Sequence, residues 1–382
     1  GIDAGTENPV GGVIVRDAES GEATGTLRES AMTLVDEVTP VASARQQAAD
    51  LATGLAEAAR FGITAFTEPG LSAAQLAPYV EADQNRTLTA RVLVSLTPIG
   101  TSVAPFDESV YELVEQRESF NGNYLKTDSV KVFMDGVIET KTSYMLEPYT
   151  DDQSNFEALY DQDTANEFYQ KLDAMGVQVH THAIGDGAIR RALNAYEYAL
   201  EQNGPSDSRH QIAHLQLIDP ADIPRFGELN VAADFQPLWA YPDQYIDLAV
   251  TVVGQERVDR FYPIASIDAT GGLIIGGSDW SVSSLNPLDA IEVAVTRQDP
   301  NATGGRIHQE SERVDLATIL DAYTRNGAWV MKLDDQVGSI EVGKRADLIV
   351  LDKNLFDIPT EDINTSKVLV TMMDGKIIYQ AE

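Results

Sequence analysis

The chain has 382 residues, no cysteine, and 60 acidic against 27 basic residues, a formal net charge of −33. This length suits a large barrel with a small extra domain, and the absence of cysteine excludes disulfides and thiolate metal ligands. The negative field excludes nucleic acid and anionic membrane as partners, and no run approaches the roughly 18 apolar residues of a membrane span.

The acid is dispersed along the chain (Asp151, Asp152, Glu197, Glu201, Asp334, Asp335) and sits among apolar strand-like runs. It therefore reads as a solvated surface suited to high salt, a halophilic trait, and not as disorder. A cytoplasmic location is the expectation, and composition leaves open whether the chain forms a homo-oligomer.

In chain order, residues 1–35 read as a loop and hairpin around Glu19-Ser-Gly-Glu22. Residues 42–62 are Ala-rich and helical, closing at Gly62. Strands follow at 63–69, 89–96 and 129–136. A helix near 163–175 leads into the strand VQVHTHAIGD, and a helix over 186–204 leads to a strand at 209–217. The strand at 230–238 precedes helices near 254–269, and GLIIGGSDW forms a strand over 272–279. Helices at 287–298 and 314–331 close this part. Single helical connections mean parallel strands and an α/β architecture. Seven such strands are visible where a closed (β/α)8 TIM-type barrel needs eight, and the missing one belongs before residue 63.

The texture changes at 338. GSIEVGKRADLIVLDKN and KVLVTMMDGKIIYQ are short alternating strands with a Met-Asp-Gly-Lys turn. The division expected is a barrel over 1–337 and a small antiparallel unit over 338–382, the C-terminal half of a composite β-sandwich. So little β structure cannot bury two faces alone.

The chemistry gathers at strand ends. Gln178, His180 and His182 alternate, so both histidines point to one side of a strand. His182 lies at the extreme end and is the better ligand; His180 lies deeper, as a supporting group. Asp186 begins the next helix, caps it, and holds the Gly185 turn beside His182. His210 and His214 share a face if their strand is regular, with His214 nearer its end. Asp279 follows Gly276-Gly277-Ser278, small residues that allow close approach to a ligand, and an Asp there can bind metal and take a proton from water. Lys131 lies between Val130 and Val132 in a strand, where a charge loses hydration; it either pairs with Asp128 or Asp135 or takes up carbon dioxide as a carbamate that bridges metals. Trp280, Trp239, Tyr144 and Tyr149 are candidates to line a pocket. His308, in GGRIHQES, reads as a loop residue without an assigned role.

Five segments, VKVFMDGVIETKTSYMLEPYTD, VHTHAIGDGAIRRALNAYE, RHQIAHLQLIDPADIPRFGELNVAADFQPLW, IIGGSDWSVSSLNPLDAIEVAVTR and GSIEVGKRADLIVLD, run in order from 130 to 352. Together they resemble the amidohydrolase superfamily, in the branch of N-substituted formamide deformylase-like enzymes. The resemblance implies a (β/α)8 barrel with a composite β-sandwich, divalent metal, usually Zn2+, and hydrolysis of a C–N bond in a small-molecule amide substrate. By position it implies Lys131 as the carboxylated bridging lysine, His182 and His214 as ligands of one metal, and Asp279 as ligand and general base at the other. It also implies an earlier His-x-His on a first barrel strand, which nothing from Gly1 onward supplies. The chain is therefore expected to begin inside a longer protein, to need that N-terminal segment as a partner, and to hold at most one ion tightly. The alternative is a catalytically inactive metal-binding or interaction protein on the same scaffold.

Overall fold

A computed structural model describes residues 1–98, 108–302 and 304–382. The chain opens with an antiparallel hairpin, β1 (Gly12–Arg16) and β2 (Ala23–Glu29), followed by helix α1 (Ala44–Arg60). Ser43 caps α1 through Gln46 N–H, and Gly62, at φ 82°, turns the chain out of it.

Among the described residues, seven parallel strands then form one curled sheet in strict chain order. They are β3 (Ala65–Leu71), β4 (Arg91–Leu96), β5 (Leu125–Phe133), β6 (Gln178–Ala183), β7 (Gln211–His214), β8 (Ala232–Phe235) and β9 (Ile274–Gly276). Helices α2 (Ala73–Gln84), α3 (Ser109–Glu115), α4 (Gln162–Ala174) and α5 (Asp186–Asn203) lie in the early connections. Strands β3 and β9 are not paired with each other, so among the described residues the sheet is open between them. That is where the sequence places the gap in the barrel. Among the described residues no helix is long and apolar enough to cross a membrane.

The two faces of the sheet differ in chemistry. Val130, Val132, Val179, Ile212, Ala233 and Ile274 face outward into the main core with α4 and α5. The inner face is polar towards the strand ends, and at the strand starts buried Gln178 and Gln211 lie beside an apolar patch. There Leu93, Ala232 and Ile275 meet Val330 and Met331, which plug the base. Period-two alternation thus separates a packing face from a chemical one.

Three expectations are corrected. The single helix expected over 314–331 is two, Leu316–Tyr323 and Arg325–Val330, broken at Thr324. Tyr323 packs on Gly276 before the break, and Asn326 Nδ2 donates to the Ile274 carbonyl after it, at 2.8 Å. Both ends of this segment are thereby fixed to β9. The strand expected over 209–217 ends at His214, and that over 272–279 pairs only at Ile274–Gly276.

The last three strands, β10 (Leu348–Leu351), β11 (Val368–Met373) and β12 (Lys376–Gln380), form the antiparallel sheet expected after 338. Asp374 and Gly375 both take positive φ at its turn, as a tight Asp-Gly hairpin requires. Thr371 Oγ1 donates to the Ala59 carbonyl of α1, and buried Arg91 forms a two-pronged ion pair with Asp347 at 2.8 and 3.0 Å. Ile349, Val350, Leu369 and Ile377 remain exposed on this sheet.

Candidate metal centre

Register brings the strand-end residues together. Lys131 on β5 pairs with His180 on β6, Phe133 with His182, and Ala183 with His214 of β7. The backbone turns left-handed at His214 and Leu215, φ 82° and 52°. Non-glycine residues rarely adopt that region, at a cost of about 1–3 kcal/mol each, and such strain clusters at functional sites. The turn swings the His214 ring to 4.5 Å from that of His182, centre to centre. Asp279 is also left-handed, at φ 50°.

Each of these two histidines is fixed by its far nitrogen. Nε2 of His182 lies 3.1 Å from the Gly136 carbonyl, and Nδ1 of His214 lies 2.8 Å from Gln236 Oε1. A carbonyl or amide oxygen only accepts, so both nitrogens carry the proton. The lone pairs left free are Nδ1 of His182 and Nε2 of His214. Burial pushes His182 down to about 3 and His214 well below its ordinary value, so both rings stay neutral near pH 7. Neutral, oriented imidazoles with a carbonyl or amide behind them are what a metal ligand pair requires. Trp239 stacks on His214 at 5.6 Å and 9°, and Phe133 lies 5.1 Å from His182.

Lys131 is buried, and burial pulls its amine down to about 8 while Asp279 and Asp234 pull the other way. Neither Asp128 nor Asp135, the partners weighed from sequence, is its neighbour in charge; Asp279 and Asp234 are. Burial raises Asp279 and pushes Asp234 up to about 7. Nδ1 of His180 meets Ser95 Oγ at 3.2 Å, and Nε2, buried and without a hydrogen-bond partner, lies 3.7 Å from Asp234 Oδ2.

Other residues fall differently. Asp186 is the first residue of α5 and Gly185 is its cap; Asp186 Oδ1 accepts Leu146 N–H at 2.8 Å, pinning the loop after β5. Tyr149 is fully buried with its hydroxyl on the Ser143 carbonyl, and Trp280 is exposed beside Gly54 of α1. His210 and His214 do not share surroundings. His210 stacks on Tyr196 of α5 and bonds Asp173, because the strand starts only after it. His308 lies in a loop, as its sequence context suggests, and is buried there. Sequence reasoning missed Asp234, Gln236 and the supporting role of Asp135. Asp135 accepts N–H groups from Ile184, Gly185 and Tyr144, tying β5 to the turn after His182. The Met-Asp-Gly run after the lysine strand was the available signal.

The sequence pattern of the Amidohydrolase family matches residues 1–379. The chain belongs to the amidohydrolase family. As a member of it, the chain is 32% identical over 394 residues to Protein LONG AFTER FAR-RED 3 of Arabidopsis thaliana, covering 99% of this chain and 65% of that protein. It is 25% identical over 394 residues to N-substituted formamide deformylase of Arthrobacter pascens, covering 100% of this chain and 69% of that one. It therefore spans about two thirds of the length of both relatives. The fold is similar to the crystal structure of an uncharacterized metal-dependent hydrolase from Pyrococcus horikoshii, with a TM-score of 0.72 and 22% identity over 90% of this chain and 67% of that one.

Proposed function

We propose that this amidohydrolase chain serves a metal-dependent hydrolysis of a non-peptide C–N bond, of the amide or formamide type, in a small molecule. The observation that carries the reading is the buried His182–His214 pair, whose rings meet edge-on at 4.5 Å and 65°, each held by an oxygen acceptor on one nitrogen so that the other is left to donate its lone pair. The donor set suits a borderline divalent ion such as Zn2+, which takes imidazole nitrogen and carboxylate oxygen. Lys131 supplies the oxygen donor. Its amine, brought down to about 8, adds carbon dioxide to form a carbamate and releases a proton. When bound, the ion activates a water and polarises the substrate carbonyl. Asp279 takes the proton from the attacking water and returns it to the departing amine nitrogen, a role favoured by a carboxyl raised by burial. Trp239, stacked on His214, walls one side. Likeness to a relative named for formamide deformylation supports the bond type, and likeness to a metal-dependent hydrolase supports the cofactor.

The test is zinc binding followed by gel filtration and metal analysis. The chain should retain one ion, lost in His182→Ala and His214→Ala. A chain that retains none overturns the reading. Released amine from a panel of N-substituted formamides and amides then separates a catalytic chain from a metal-binding scaffold.

A further inference from the structure

Strand β2 ends at Glu29, which is left-handed (φ 49°) and buried. Its neighbour Arg28 turns away and donates to the Thr140 carbonyl at 2.9 Å. Among the described residues, no lysine or arginine side chain is hydrogen-bonded to the Glu29 carboxylate. An apolar residue would close a hairpin with less loss of hydration, so a buried carboxylate there asks for a reason.

Its contact supplies one. The Thr142 hydroxyl donates to Glu29 Oε1 at 2.6 Å. That hydroxyl accepts Val137 N–H at 2.8 Å, and the Thr142 carbonyl accepts Gly136 N–H at 2.9 Å. Gly136 is pressed against both groups: a Cβ there would stand 2.3 Å from Thr142 Oγ1 and 2.7 Å from Glu29 Oε1. The carbonyl of the same Gly136 receives the Nε2 proton of His182. An unbroken line of contacts thus runs from the hairpin through Thr142 and Gly136 to the imidazole.

We propose that Glu29 is a positioning residue for His182, acting through Thr142 and the Gly136 carbonyl. The hairpin β1–β2 then helps to set the orientation of a metal ligand on a distant strand. This rests on the reading of His182 as a ligand.

The probe is zinc alone, its Kd measured by competition with a chromophoric chelator. The visible spectrum of the cobalt-loaded chain reports ligand geometry. Direct partners of a metal ligand are worth about 10–100-fold in metal affinity; Thr142 and Glu29 stand further out, so Glu29→Ala and Thr142→Val should weaken zinc binding by about 10-fold, the lower end of that range, and change the cobalt spectrum. Glu29→Gln keeps an acceptor for Thr142 and should restore both. Asn8→Ala removes the acceptor of Ile14 N–H at 2.9 Å, a hairpin contact outside this line; it should lower Tm without moving the zinc Kd. Wild-type affinity and spectrum in folded Glu29→Ala overturn the proposal, as does an equal loss in Asn8→Ala. Should Glu29→Ala fail to fold, Thr142→Val decides, and an unchanged Kd there overturns it. A wild-type chain that binds no zinc is a different result, because it removes the metal reading itself.

Discussion

Replacing Gln236 with methionine probes the centre without touching any proposed ligand. Methionine has similar length and no acceptor of comparable strength. Gln236 is buried, and its Oε1 is the partner of His214 Nδ1 at 2.8 Å. Without it, a buried N–H loses its acceptor, at about 1–3 kcal/mol. The ring can escape that cost by moving its proton to Nε2, since neutral imidazole carries one proton on either nitrogen. That tautomer removes the lone pair offered to metal. The expected loss is about 10–100-fold in zinc affinity, or about 1.4–2.7 kcal/mol. Chelator competition measures it, and nitrogen chemical shifts of the His214 ring report the tautomer directly. Gln236→Glu, which keeps an acceptor, should retain affinity. A folded Gln236→Met chain with wild-type zinc Kd would refute the argument that this amide sets the ring.

Two further outcomes are expected. Burial pushes His308 down to about 4 from an ordinary value of 6.5, so between those pH values the unfolded chain holds a proton that the folded chain does not. Stability contributed by this group is therefore full above about pH 6.5 and lost by about 3 kcal/mol as pH falls to 4. Urea unfolding at pH 7 and 4.5 should show His308→Gln losing less on acidification than wild type; equal losses would contradict the sign. At a net charge of −33, Tm should rise from dilute buffer to molar KCl as salt screens self-repulsion, and a flat Tm would count against a surface adapted to salt.

What sequence made legible was set by local pattern. Alternation in QVHTHA places His180 and His182 on the inner face, and Val179 and Ala183 lie in the outer core. Lys131, His182 and His214 could be found because each sits near a strand end, and strand ends meet on one face of a parallel sheet. The supporting groups were hidden for the opposite reason. Gln236 contacts His214 from 22 positions away, and Glu29 is linked to His182 through Thr142 and Gly136 across 153 positions, so only the fold connects them (236 − 214; 182 − 29). The left-handed turn at His214 was also invisible, because nothing in AHLQL marks it; a regular strand would have kept His210 and His214 on one side. The break at Thr324 is tertiary too, since LATILDAYTRNGAWV reads as continuous helix.

Strict chain order in the large sheet bears on how the chain is made. As it leaves the ribosome, each strand from β4 to β9 finds its neighbour already synthesised, so pairing can advance with translation. The small sheet obeys the opposite rule. Asp347 must reach Arg91, and Thr371 must reach Ala59, elements finished long before. Until then the start of β4 and the inner side of α1 wait uncovered, with a buried-type arginine lacking its carboxylate. The nascent protein is therefore most in need of chaperone cover near the end of synthesis, and a message cut short after the barrel would release a chain with that surface still open.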